Sequence, residues 1–181
     1  MCAAVFAWGE DNGVVTGSPS KGTTRTTPTN VNWKNVGDST SLYSDYPITV
    51  PAASSNYSFP KYQFGIFTGT FTQISAGKWS AHTDANSFPT GITLKGTVTS
   101  TYVQPAATNF SFGTDFSSTV AIGSGSAVLF STTGPEGGST ASTLAASGYT
   151  QYLATQLVVA STCSTPGDTS TITSTLQYNE N

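Results

Sequence analysis

The sequence predicts an all-β protein: an antiparallel β-sandwich, jelly-roll-like, with an extended N-terminal arm. Three observations carry that prediction. Only 8% of the 181 residues are charged, against about 25% in an average soluble chain, and the helix formers Glu, Lys, Arg and Met are scarce. In their place stand Thr, which favours strands, and Ser, Gly, Asn and Pro, which favour turns. Aromatic residues make up 12%, enough to build a core and to set the chain apart from a disordered Ser/Thr-rich segment. Finally, Gly91–Thr99 (GITLKGTVT) alternates with a period of two, Ile92, Leu94, Gly96 and Val98 on one face and Thr93, Lys95, Thr97 and Thr99 facing water on the other. The length suits one domain with a sizeable core.

Residues 1–30 read as an extended arm, and residues 31–181 as the sandwich. Ala3–Trp8 is a short apolar run, Glu10-Asp11-Asn12-Gly13 reads as a turn, and GSPSKGTTRTTPTN offers little to bury. Fixing each residue costs roughly 1–2 kcal/mol of backbone entropy, so an ordered arm needs neighbours. Phe6 and Trp8 are the expected apolar anchors on adjoining subunits, and Arg25 the expected polar contact. Val31–Val36 and Tyr46–Val50 are short strand candidates.

The aromatic stretch Tyr57–Ile74 (YSFPKYQFGIFTGTFTQI) organises the rest. Tyr62, Phe64 and Ile66 alternate with Lys61, Gln63 and Gly65; then Phe67 and Phe71 continue in the opposite phase. A one-residue slip of phase predicts a bulge or bend near Gly65–Phe67. Lys78–His82, Asn109–Phe116 and Ser118–Ile122 are further short strands. Ser126–Ser131 (SAVLFS) is too continuous to alternate, as in a strand buried on both faces. Ser139–Ser147 is the one helix candidate, with Gly148 as its stop. Tyr149–Ala160 fits both a strand phase and a helix phase; Val158-Val159 and the following Pro166-Gly167-Asp168 turn favour the strand. Thr169–Tyr178 is then its expected hairpin partner.

Little of this composition invites chemistry. The net charge is −3 and the six cations are scattered, which disfavours a nucleic-acid backbone. No apolar run approaches the roughly 20 residues of a membrane span. The start MCAAVFAWGED lacks the basic and long apolar regions of a secretory leader, and free thiols at Cys2 and Cys163 are expected in place of a pair. The single histidine, His82, has Asp84 near it but no nucleophile elbow or oxyanion loop. It lacks the short ligand spacings of a zinc site as well. The nine acids lie beside turn residues, and Glu10-Asp11-Asn12-Gly13 opens no full calcium loop. No cofactor, metal or catalytic residue is therefore expected. Tyr43, Tyr46, Trp79 and Tyr102, if exposed, would suit stacking on a sugar; a place in the core is the favoured reading for aromatic residues of a sandwich.

Several phrases carry a family likeness: VFAWGEDNG, TTRTTPTNVNWKNV, QFGIFTGTFTQISAGKW, ITLKGTVTSTY, LFSTTGPEG and GYTQYLATQL with GDTSTITSTLQYNEN. Over nearly the full length the chain resembles small virion structural proteins of tailed bacteriophages. The resemblance implies a non-enzymatic component of the head (as decoration), neck or tail and baseplate, assembled in the host cytoplasm. Its implied partners are further copies of itself and other virion proteins. A host-recognition module that binds a surface glycan is the alternative it leaves.

Overall fold

The computed structural model describes residues 3–29, 31–83, 88–116, 125–137, 140–164, 167 and 172–181, without the side chains of 81–83. Two antiparallel sheets face one another, and no helix occurs among the described residues. The strands are β1 Ala4–Thr16, β2 Lys21–Thr26, β3 Ser55–Tyr57, β4 Lys61–Gly69, β5 Ile74–Thr83, β6 Ile92–Thr99 and β7 Thr114–Asp115. They continue with β8 Ser126–Ala127, β9 Phe130–Ser131, β10 Thr143–Leu144, β11 Gly148–Thr150, β12 Tyr152–Ala160 and β13 Ile172–Glu180. The large sheet runs β2-β1-β4-β12-β6-β7, with β3, β9 and β11 attached off that path. The small sheet runs β10-β5-β13, with β8 also on β5.

Between the sheets lies the main core: Trp79 of β5, Leu94 of β6, and Leu153, Leu157 and Val159 of β12, with Phe116 and Val128. Burial of each such side chain is worth about 1.5–3 kcal/mol. A second cluster fills the opposite face of the large sheet, where Tyr62, Phe64, Tyr152 and Ala154 meet Tyr102. A third, around Phe67, Ile74, Phe130 and Leu144, closes one end.

The inward phase read in Gly91–Thr99 holds at Leu94 and Gly96 of β6, which are buried; the Thr/Lys face, expected in water, is half-buried, as are Ile92 and Val98. Tyr149–Ala160 is strand, as β11 and β12, but the single phase expected for it breaks between them: Leu153, Leu157 and Val159 face the main core, whereas Tyr149 packs on the opposite face of the sheet. Other expectations are corrected. Residues 4–26 are not an extended arm but a hairpin whose first strand, β1, pairs with β4 without a break from Ala4↔Gly69 to Asp11↔Tyr62. Glu10-Asp11-Asn12 is therefore mid-strand and not a turn, and a bulge follows between Asn12 and Val15, where Gly13 takes a φ of 82°. Gly17–Ser20 is the hairpin turn.

The slip of phase in the aromatic stretch does not bend β4 either. That strand is covered on both faces, Tyr62 and Phe64 on one and Lys61, Gly65 and Phe67 on the other. The irregularity sits in its partner. Tyr149 pairs with Ile66 but Leu153 with Gln63, so one extra residue lies between β11 and β12. Ser126–Phe130 alternates after all, with Val128 and Phe130 buried and Leu129 exposed; only at Phe130-Ser131 are both faces buried, as expected. The helix candidate is extended: Ala141 bridges Phe130 and β10 follows; Ser139 lies outside the described residues.

Val31–Val36 and Tyr46–Val50 are loops, though Trp33 and Ile48 still pack on the main core. Asn109–Phe116 is strand only at β7, and Ser118–Ile122 lies outside the described residues. Finally, β13 is not the hairpin partner of β12. It crosses to the small sheet and pairs with β5, while β12 is held between β4 and β6.

Candidate functional site: a buried ionic lattice

Few charges exist in this chain, and many are inside it. Glu10, Asp11, Lys34 and Lys61 are each no more than 2% exposed, and Glu136 is 8% exposed. Consecutive strand residues point to opposite faces, so Glu10 and Asp11 belong to two different networks.

On the outer face, Asp11 receives a bidentate pair from Arg25: Nε to Oδ1 at 2.7 Å and Nη2 to Oδ2 at 2.8 Å. The same Nη2 donates to Glu136 Oε2 at 2.8 Å, and Lys21 Nζ lies 3.9 Å from Glu136 Oε1. The Arg25 guanidinium stands 4.9 Å from the Phe64 ring centroid and 5.8 Å from that of Tyr149, a favourable cation–π seat. Tyr152 donates its hydroxyl to Asp11 Oδ2 at 2.5 Å. Hydrogen bonding to Asp11 raises the Arg25 pKa against the opposing effect of burial. Burial, followed by the hydrogen bond to Asp11, raises that of Tyr152 well above the ordinary phenol range. Arg25 thus stays charged and Tyr152 stays a donor.

On the inner face, Glu10 accepts from Lys61 Nζ and Gln63 Nε2, both at 3.3 Å. The Asn12 amide nitrogen, turned toward it, reaches Glu10 Oε1 at 2.9 Å and Gly37 O at 3.1 Å. Lys61 Nζ also donates to Asp38 O at 2.8 Å. Burial lowers the Lys61 pKa, and Glu10 partly offsets this. Lys34 Nζ donates to Ser41 O and lies 3.5 Å from Asp38 Oδ1. Asp38 in turn accepts from Ser41 N at 2.6 Å, Ser41 Oγ at 2.7 Å and Thr40 N at 2.8 Å. Burial would raise the Asp38 pKa, but these donors and Lys34 hold it well below the usual carboxylate range.

Chemically this arrangement fastens elements together. The outer network ties the β1–β2 hairpin to the loop at 132–137 and to β12; the inner one ties it to β4 and the loop at 37–41. The carboxylates Asp11 and Glu136 share one guanidinium instead of facing an open cleft. A shallow groove nearby, about 250 Å³, is lined by Gly13, Val14, Val36, Gly37, Phe59, Gln104 and Pro105, with Asp38 the only charged residue in its wall. Among the described residues no group of three His, Cys, Asp or Glu side chains could hold a metal ion.

The residues singled out from sequence are distributed as follows. Phe6 packs on its own chain, with ring centroids 5.2 Å from Trp8, 5.4 Å from Phe67 and 6.2 Å from Tyr178. Trp8 packs on the main core. Arg25 is an internal contact, its side chain about one-third exposed. Trp79 and Tyr102 are buried and cannot stack on a sugar, whereas Tyr43 and Tyr46 are exposed. Cys163 is buried in the core and Cys2 lies outside the described residues. His82 is in β5 opposite Thr173.

Sequence reasoning missed Glu10, Asp11, Lys34, Lys61 and Glu136. One signal was present: in so charge-poor a chain, Glu10-Asp11 directly following an apolar run, with Arg25 beyond a Gly-Ser-Pro turn, fits a hairpin carrying an ion pair. Comparisons with protein-family models, with curated proteins and with solved structures find no match.

Proposed function

We propose that this chain is a non-enzymatic structural component of a tailed-phage virion, assembling with itself or with neighbouring head, neck or tail proteins. The observation that carries the reading is the ionic lattice. Five of the six cations, Lys21, Arg25, Lys34, Lys61 and Lys95, are engaged with carboxylates inside one chain. These contacts brace the hairpin and loops, and of the paired groups only Asp38 reaches the wall of the groove. Such bracing suits a part whose task is to hold shape. A jelly-roll-like virion domain is the finer form of fold this reading implies, and it is consistent with the phrases that resemble phage structural proteins.

The direct test is location. Antibody raised against the chain should label purified particles at one fixed position, and mass spectrometry of those particles should recover it in constant copy number. Its absence from particles, or turnover of peptidoglycan or capsular polysaccharide abolished by a single carboxylate substitution, would overturn the reading. The glycan-binding alternative retains one supporting observation, the neighbouring exposed rings of Tyr43 and Tyr46 beside exposed Leu42. Glycan-array binding lost in Y43A/Y46A with the fold intact would favour it.

A further inference from the structure

The hairpin covers only part of β1. The ladder with β2 begins at Glu10, so Ala4–Gly9 has β4 on one side and no strand on the other among the described residues. The direction of its backbone groups follows from Ala4, whose N–H donates to Glu180 Oε1 at 2.7 Å and so points away from β4. An antiparallel strand turns its amides to alternate sides. Phe6 and Trp8 share the phase of Ala4, and their N–H and C=O groups face the same open edge. Glu10 and Asn12, in that phase too, turn theirs to Thr26 and Thr24 of β2.

An open edge is a template for pairing unless it is guarded. Other strand edges among the described residues are short or carry charge; β3 has three residues and β9 two. β2 carries Lys21 and Arg25; β7, β8 and β10 are two residues long; β13 is polar and ends in Glu180. Ala4–Gly9 reads AVFAWG, with no charge and no proline, and Val5 is 59% exposed.

We propose that the Ala4–Gly9 edge pairs antiparallel with the same edge of a second copy of this chain, about a two-fold axis at Phe6. Ala4 then lies opposite Trp8 of the second copy, whose carbonyl takes the place of Glu180 at the Ala4 N–H, and Val5 lies opposite Ala7 of the second copy. Pairing about a residue preserves parity, so Phe6 and Trp8 stay on the core side in both copies. Exposed Val5 is covered on the outer side. A neutral segment brings no like charges together when it meets itself, and it offers nothing to a partner that recognises charge. The inference deepens the assembly reading above, but its outcome is separate: the two copies either pair or do not in isolated protein, whatever a particle contains.

The test uses exposed positions. Sedimentation of the full chain should show a dimer. V5K/A7K, which sets lysine against lysine across the axis, should weaken dimerisation at least tenfold while leaving the far-UV β spectrum unchanged. V5K/A7E, which sets lysine against glutamate, should keep the dimer. A monomer at every concentration would overturn the proposal and leave the edge to a strand of another protein. Equal weakening by both variants, or none by V5K/A7K, would overturn it as well. Should V5K/A7K fail to fold, amide exchange of the unmodified chain decides: Phe6 and Trp8 must gain protection as concentration rises, and unchanged fast exchange refutes the pairing.

Discussion

Replacing Arg25 by methionine tests the outer network most sharply. The substitution keeps an apolar stem over Phe64 and Tyr149 but removes both charge-assisted pairs. Asp11, whose side chain is 0% exposed, would retain the Tyr152 hydroxyl as a partner. Breaking a buried pair from one side costs about 3–5 kcal/mol, because the remaining charge is left uncompensated. The Arg25 side chain is 32% exposed, so water can enter, and the expected loss is about 2–4 kcal/mol. For a chain of this size each kcal/mol moves Tm by about 2–4 °C, so Tm should fall by roughly 10 °C. Urea unfolding followed by Trp fluorescence and far-UV circular dichroism measures the loss, with Asp11→Asn, alone and in the R25M background, completing a double-mutant cycle. Asp11→Asn should cost less in R25M than in the unaltered chain, with a coupling of at least about 1 kcal/mol. A loss below about 1 kcal/mol, or strict additivity, would refute the view that this contact braces the fold.

Two further outcomes follow from the same geometry. Burial pushes the Tyr62 pKa up to about 12, and burial above all raises those of Tyr102 and Tyr152 further. An unfolded tyrosine ionises near 10, so the folded state holds its protons longer. The stabilisation is complete below about pH 10 and is lost as pH climbs, by about 1.4 kcal/mol per unit per tyrosine or roughly 4 kcal/mol per unit for the three. The lowered pKa of Lys61 acts with the opposite sign below about pH 10.5, but through one group only. Urea midpoints should fall steeply between about pH 10 and 11.5; a flat profile would count against buried phenols. Separately, a chain beginning at residue 27 should not fold, because it strips β1 from β4 and leaves Lys61 without Glu10. A native-like circular dichroism spectrum from that truncation would show that the hairpin is dispensable.

What could be read from sequence depended on how each element is buried. β6 was legible because its core face is apolar and its other face rich in Thr, the pattern that alternation detects. β4 was found but misread: covered on both faces, it shows two interleaved apolar sets that mimic a slip of phase. β1 was hidden for a different reason. Its most buried residues are Glu10, Asp11 and Asn12, and a search for apolar periodicity treats such residues as solvent-facing. Their burial depends on Arg25, Lys61 and Glu136, which are distant in sequence and carry no local signature. The partner of β13 was missed because adjacency in sequence suggested a hairpin with β12, whereas Trp79 Nε1 to Ser174 Oγ, at 2.6 Å, belongs to the β5–β13 pairing.

The position of β12 has a consequence for how the chain is made. This strand, Tyr152–Ala160, bonds to both β4 and β6, so the large sheet cannot close until most of the chain has left the ribosome. Until then β4 can hold only the N-terminal hairpin, and the edges of β4 and β6 that await β12 remain open. Pairings over such sequence separations form slowly and expose edges meanwhile. The β1–β2 hairpin is local and can form first, capping one side of β4 early. Synthesis rate and chaperone supply should therefore govern the soluble yield of this protein more strongly than its final stability does.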